Sequence, residues 1–395
     1  MTHSQPKESV VRLVRAVLSV RPLVDALAPP VHVASMVDGA TPDADARLES
    51  LLNRIARRIG SPEFKVLGHA VPSKPTIFEH IVSERLRAGG PYEAAIHLDP
   101  SNVSQFDPAI EAAIQEDFDR KFNRVEIRSF DGAMIRSYTA GDPHDQAVMI
   151  VPACGMPTKL CESWINFLAK TNFVLTTETR GLFDLSSTFD SLASDVSAQA
   201  KDVLAVMDHF GVKAGHLMGL CGGAVVAVAA AIDSPQRVSS MSLWYGDFDL
   251  GPSSPKTMYQ QNLKEVMLLA GAGRSEAEAT HELFCGAMVK TARADLAHLV
   301  LYPFATPELL YRYAKLNGSI MCTNLAPMLA NTFPRTLVVT SQDDSTAHPA
   351  ASREVAARLP KSVLHVEPHG DHLSFYDANP QLTELASRFI AGNNT

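Results

Sequence analysis

His216-Leu217-Met218-Gly219-Leu220-Cys221-Gly222-Gly223-Ala224 is the stretch on which the fold turns. Before it, Ala214–Met218 reads as a short apolar strand; after it, Ala224 to Ile232 is an apolar run of helical length. A sharp strand-to-helix turn needs glycine wherever a side chain would strike neighbouring backbone, and Gly219 and Gly223 bracket the central residue in that way. The residue between them is held in a strained conformation at the helix N-terminus, where the dipole favours a thiolate. The next amide, Gly222, faces the place where charge develops on an attacked carbonyl. Cys221 is therefore the candidate nucleophile.

Working outward, the chain alternates strands and helices. Arg124–Phe130 and Ala133–Thr139 form a predicted hairpin around Asp131-Gly132, a pair suited to the positive φ angles of a tight turn. Further strands are expected at Ala147–Val151, Phe173–Thr177, Val238–Tyr245, Thr336–Ser341 and Val363–Glu367, with helices at Thr158–Lys170 and Ser191–Phe210. This alternation implies an α/β fold with a mostly parallel central sheet and helices on both faces. Between Gly251 and about Leu329 the chain is helical and rich in Met and Leu, which reads as a lid inserted between two strands.

Residues 1–120 differ from the rest. Apolar positions recur at helical spacing over residues 8–28, Arg47–Ile59 and Thr76–Arg87, and Gly89-Gly90-Pro91 and Asp99-Pro100-Ser101 break the regularity. No catalytic motif appears there. The expected organisation is a helical N-terminal extension over 1–120 and an α/β domain over 121–395, with the lid at about 251–329. The 395-residue length agrees, since single cores stop growing at about 250–300 residues.

Hydrophobic residues make up 46% and charged residues 20%, ordinary globular values. The net charge of −8 disfavours nonspecific binding to nucleic acid or anionic membrane. Leu217–Ile232, the longest apolar run, is interrupted by glycines and falls short of the roughly 18–20 residues of a membrane span. The N-terminus lacks the pattern of a secretory signal, so a cytoplasmic location is expected. Five scattered cysteines with no CxxC pair fit neither a disulfide framework nor a zinc site. Cys161, Cys285 and Cys322 read as small buried hydrophobes, and Cys154 as a packed thiol beside the site.

From about residue 122 onward, the strand, Gly-x-Cys-x-Gly turn and helix resemble the α/β-hydrolase superfamily. That resemblance implies the order nucleophile, acid, histidine. His372, preceded by Gly370 and Asp371 in the loop after the last strand, is the expected base, and His369 a loop histidine. Ser341-Gln342-Asp343-Asp344 is similar to the Gly-x-x-Asp found there in the superfamily, making Asp344 the orienting acid and Asp343 a turn residue. Asp247, after the preceding strand, is the alternative acid. Cys154-Gly155-Met156-Pro157 resembles His-Gly-x-Pro and implies the Met156 amide as second oxyanion donor beside Gly222.

A cysteine turn also occurs in dienelactone hydrolases and polyhydroxyalkanoate synthases. The long extension and the position of the nucleophile are most similar to the aminoacyltransferases of nonribosomal peptide synthesis, of the syringomycin type, which are related to thioesterases. This resemblance implies a cytoplasmic enzyme that moves an aminoacyl group between the phosphopantetheine thiols of two carrier proteins. No residue spacing implies a metal or an organic cofactor of its own. The alternative is a thioesterase or dienelactone-type hydrolase with the same three residues.

Overall fold

The hairpin Arg124–Thr139 and the apolar runs after it assemble into an eight-stranded sheet in the computed structural model, which describes residues 4–35, 41–68, 75–89, 104–184, 188–290, 292–330 and 334–392. The irregular stretch expected beyond Gly89 lies outside them. The chain divides into two units, Met1–Lys121 with Glu282–Thr306, and Phe122–His281 with Pro307–Thr395.

In the second unit, β3 (Asn123–Arg128), β4 (Met134–Ala140), β5 (Ala147–Val151), β6 (Phe173–Thr177), β7 (Gly215–Leu220), β8 (Val238–Trp244), β9 (Arg335–Ser341) and β10 (Ser362–Glu367) lie in the order β10-β9-β8-β7-β5-β6-β4-β3. The hairpin edge is antiparallel, and every pair from β6 through β5, β7, β8 and β9 to β10 is parallel. β5, β6 and β7 are buried along their whole length, as continuous apolar strands covered on both faces must be.

The strand order reverses between β5 and β7, and there the carboxyl ends come level: Val151 pairs with Gly219, Leu220 with Trp244, and Trp244 with Val339. A switch point of this kind opens a crevice beyond the strand ends. The helix Val196–His209 starts later than expected, because Asp195 caps it by accepting from the Ala198 amide. Arg180, buried, bonds Asp131 and Asp202 and so ties the hairpin turn to that helix.

The first unit is not wholly helical, as expected, but holds a small sheet. β1 (Val31–Ala34) and β2 (Phe64–Leu67) pair in parallel, joined by the helix Pro42–Ile59. Four-residue strands carry too little alternation to be recognised by pattern alone. The helix Ile77–Ala88 starts in a capping box between Thr76 and Glu79, and Glu79 also accepts from the His32 amide at 2.8 Å. A further correction concerns the stretch 251–329, expected as one insertion. Its middle part, Glu282–Thr306, belongs to the first unit, where Ala297–Val300 packs on the helices Ser4–Ala26 and Ile77–Ala88. Helical periodicity reports that Leu299, Val300 and Phe304 are buried, but not against which partner.

Candidate active site

Cys221 stands between β7 and the helix Gly222–Asp233 with φ 52° and ψ −121°, a conformation that a residue with a Cβ adopts only under constraint. The constraint is visible on both sides. A Cβ on Gly219 would lie 2.6 Å from the Ala224 Cα, and one on Gly223 2.3 Å from the Val151 carbonyl oxygen. The Cys221 amide donates to the Trp244 carbonyl at 3.0 Å, and its carbonyl accepts from Ala224 and Asp247. The turn is thus fixed from β8 as well as from its own helix. Gly222, as first residue of that helix, has no intrahelical acceptor for its N–H.

Beyond β10 the chain turns at Gly370, φ 126°, and brings His372 back over the strand ends. The His372 Nδ1 lies 2.9 Å from the Asp344 Oδ2. The other oxygen of that carboxylate accepts from the Thr346 and Ala347 amides at 2.8 and 2.9 Å. Asp344 is fully buried and held at both oxygens, so its orientation is set before any ligand arrives. With Nδ1 turned to Asp344, Nε2 is left for the Cys221 sulfur, with which the ring also hydrogen-bonds. Burial alone would depress the imidazole; the negative charges of Cys221 and Asp344 overrule it and hold His372 well above its usual range, as an imidazolium. The Tyr245 ring, itself at positive φ, stands edge-on to His372 with centroids 6.0 Å apart.

The neighbouring candidates have other partners. His369 and Asp343 pair with each other at the exposed surface, 3.1 Å apart. Asp247 accepts at Oδ1 from the Gln260 amide at 2.5 Å and makes no ion pair among the described residues. The Met156 amide, expected as the second oxyanion donor, donates to the Ala153 carbonyl at 3.3 Å, a long bond that an incoming oxyanion would have to share. Cys154 is buried; desolvation, reinforced by the charge at Cys221, raises its thiol. Burial likewise raises Cys161, and pushes Cys285 up to about 12. Cys322 corrects the expectation: it is exposed, just past the end of the helix Pro307–Met321.

Three residues without a sequence signal complete the surroundings. Tyr259 and Tyr313 come from the inserted helices Met258–Ala270 and Pro307–Met321, and both are within electrostatic reach of Cys221 and Asp247. Burial above all keeps both phenols protonated at neutral pH. Gln260, from the first of these helices, accepts from the Thr257 and His348 amides while donating to Asp247. An open cavity of about 640 Å³ adjoins Asp247 and Gln260, and Asp249, Lys256, Lys264 and Met321 also line it. Among the described residues no helix is long and apolar enough to cross a membrane.

The profile of the Alpha/beta hydrolase family matches residues 152–384. Similar solved structures include a hydrolase from Pseudomonas aeruginosa PA01, with 22% identity, TM-score 0.52, and coverage of 68% of this chain and 98% of that one. The esterase RhEst1 from Rhodococcus sp. ECU1013 has 17% identity and TM-score 0.53, covering 69% and 99%. The enol-lactonase from Burkholderia xenovorans LB400 has 17% identity and TM-score 0.52, covering 68% and 99%. At such identities the likeness is one of fold.

Proposed function

The chain belongs to the alpha/beta hydrolase family, and from that premise we propose that it is a cysteine-dependent acyltransferase that carries its cargo as a thioester on Cys221. The observation that carries the reading is a sulfur, not a hydroxyl, at the strained turn, hydrogen-bonded to an imidazole that a doubly anchored carboxylate orients. A serine there would turn an incoming thioester into a more stable oxyester, making onward transfer to a thiol uphill. A cysteine keeps loading and unloading nearly balanced, as a reversible shuttle requires. The donors and acceptors in this proposal are the phosphopantetheine thiols of two carrier proteins, the cargo an aminoacyl group, and the enzyme has no cofactor of its own.

In the cycle the Cys221 sulfur attacks the thioester carbonyl, and the Gly222 amide, joined by Met156, stabilises the oxyanion. The intermediate collapses with cleavage of the bond to the first pantetheine sulfur, which takes the proton from His372. A second thiol then gives its proton to His372, attacks the acyl-enzyme and releases Cys221. Asp344 keeps the imidazole in the required tautomer throughout. Exclusion of water by the helices that carry Tyr259 and Tyr313 favours transfer over hydrolysis.

Hydrolysis by the same residues is the second reading, favoured by the esterase and lactonase names of the similar structures. Intact-mass analysis after mixing the protein with an acyl-loaded carrier separates the two. The proposal expects the acyl mass on the protein, absent in Cys221→Ala, then passage to a second carrier that bears a free pantetheine. Release as free acid at the same rate with and without that carrier would replace it by hydrolysis. No adduct on Cys221 would reject both.

A further inference from the structure

Asp247 is left over once Asp344 has been assigned to His372. Its backbone amide donates to the Cys221 carbonyl at 3.4 Å, so it belongs to the turn that carries the nucleophile, and its side chain lines the 640 Å³ cavity. The Gln260 amide fixes Oδ1; among the described residues no donor takes Oδ2 and no cation pairs with it. Of the cations within electrostatic reach, His372 is bonded to Asp344 and the lysines are engaged elsewhere. Lys256 donates to the Phe248 carbonyl at 2.7 Å and lies 3.7 Å from Asp249, and Lys264 pairs with Asp249 at 3.2 Å. Asp247 thus brings to the cavity a half-buried carboxylate with one oxygen oriented and the other open. An oxygen so oriented and open to the cavity can accept from a cationic donor that enters it.

From this arrangement we infer that Asp247 is a specificity-determining residue, which binds an ammonium group on the acyl moiety held at Cys221. The inference rests on the acyltransferase reading and adds to it the residue that reads the cargo's charge. Gln260 presets the carboxylate, so an arriving primary amine meets an oriented acceptor, and an acyl chain without the amine leaves Oδ2 without a partner.

The test compares two pantetheine thioesters, valyl and 3-methylbutanoyl, which differ only in the α-ammonium. The rate of Cys221 acylation is followed by intact mass and divided by the rate of each thioester with a free small thiol, because an ammonium activates its own carbonyl. The normalised wild-type preference for the amine should be ~10–100-fold, the range for a hydrogen bond to a charged group. In Asp247→Asn that preference should fall towards one. A normalised wild-type ratio near one overturns the inference even if the variant fails to fold, as does an unchanged ratio in a folded variant. Acylation of Cys221 by both thioesters at equal normalised rates sinks the Asp247 assignment alone; acylation by neither sinks the acyltransferase reading with it.

Discussion

Gly223→Ala is the sharpest mechanical test of the turn at Cys221. The added Cβ would sit 2.3 Å from the Val151 carbonyl oxygen and 2.4 Å from that of Pro152, whereas real Cβ contacts essentially never come under 3.0 Å. Both obstacles are main chain at the end of a central strand, so no rotamer change relieves them. The helix start must retreat by about 1 Å. Overpacking costs typically ~1–3 kcal/mol, and backbone on two sides puts this site at the upper end, near ~3 kcal/mol. For a unit of this size that lowers Tm by roughly 6–12 °C. The same 1 Å shift carries the Cys221 sulfur out of line with His372, which costs about 100-fold in acylation rate. Gly222→Ala, one residue earlier, is the built-in comparison: its Cβ would meet only the Ile320 side chain at 3.4 Å and the Asn317 side chain at 3.5 Å. Calorimetry of the two variants, paired with intact-mass acylation, checks the reasoning. A Gly223→Ala protein within about 1 kcal/mol of the parent would refute it, as would a Gly222→Ala protein that is the less stable of the two.

Other consequences are equally measurable. Asp344→Asn should slow acylation by about 10³–10⁴-fold through loss of the tautomer, while Asp343→Asn, at the exposed surface, should change it less than about threefold in the same stopped assay. NMR titration of the His372 ring should give a pKa well above 6.5, falling in Cys221→Ala and again when Asp344 is neutralised. Because the folded value is the raised one, this interaction stabilises fully below pH 6.5 and is lost as the pH rises through the folded pKa, so the stability gap between parent and Cys221→Ala should narrow in alkali. His216 behaves in the opposite sense. Burial, aided by the charge of Arg335, pushes its imidazole down to about 3, and both ring nitrogens bond the Ser240 and Ser242 hydroxyls. The unfolded chain takes the proton near 6.5, so stability is full above that pH and declines below it, by ~2 kcal/mol at pH 5 and ~4 kcal/mol at pH 3. Denaturant titrations of parent and His216→Gln across pH 3–7 would reveal a constant difference if the ring were not held neutral.

The second unit was readable from sequence because its strands are short apolar runs closed by turn residues: Ala147–Val151 and Phe173–Thr177 are found with the expected bounds. The Gly-x-Cys-x-Gly turn declares itself through the glycines that its backbone contacts demand. Asp344 and His372 needed both their offset and the resemblance, since Asp343 and His369 have the same chemistry and differ only in which way the loop points them. Gln260 gave no signal at all. Its role beside Asp247 depends on an amphipathic helix returning over the strand ends, and a glutamine in such a helix looks like any other polar residue. The grouping of Glu282–Thr306 with the first 121 residues was hidden for a related reason, burial being legible where the burying partner is not.

That grouping also bears on how the protein is made. On the ribosome the helices of residues 4–88 emerge early, yet the piece that covers their apolar faces arrives only when Thr306 has been added, after most of the central sheet has been synthesised. The first unit must therefore wait, with the helices Ser4–Ala26 and Ile77–Ala88 lacking part of their final packing, through the birth of the second. Cutting the gene after residue 121 would leave the first unit without Glu282–Thr306, and would leave that piece without the helices it packs on.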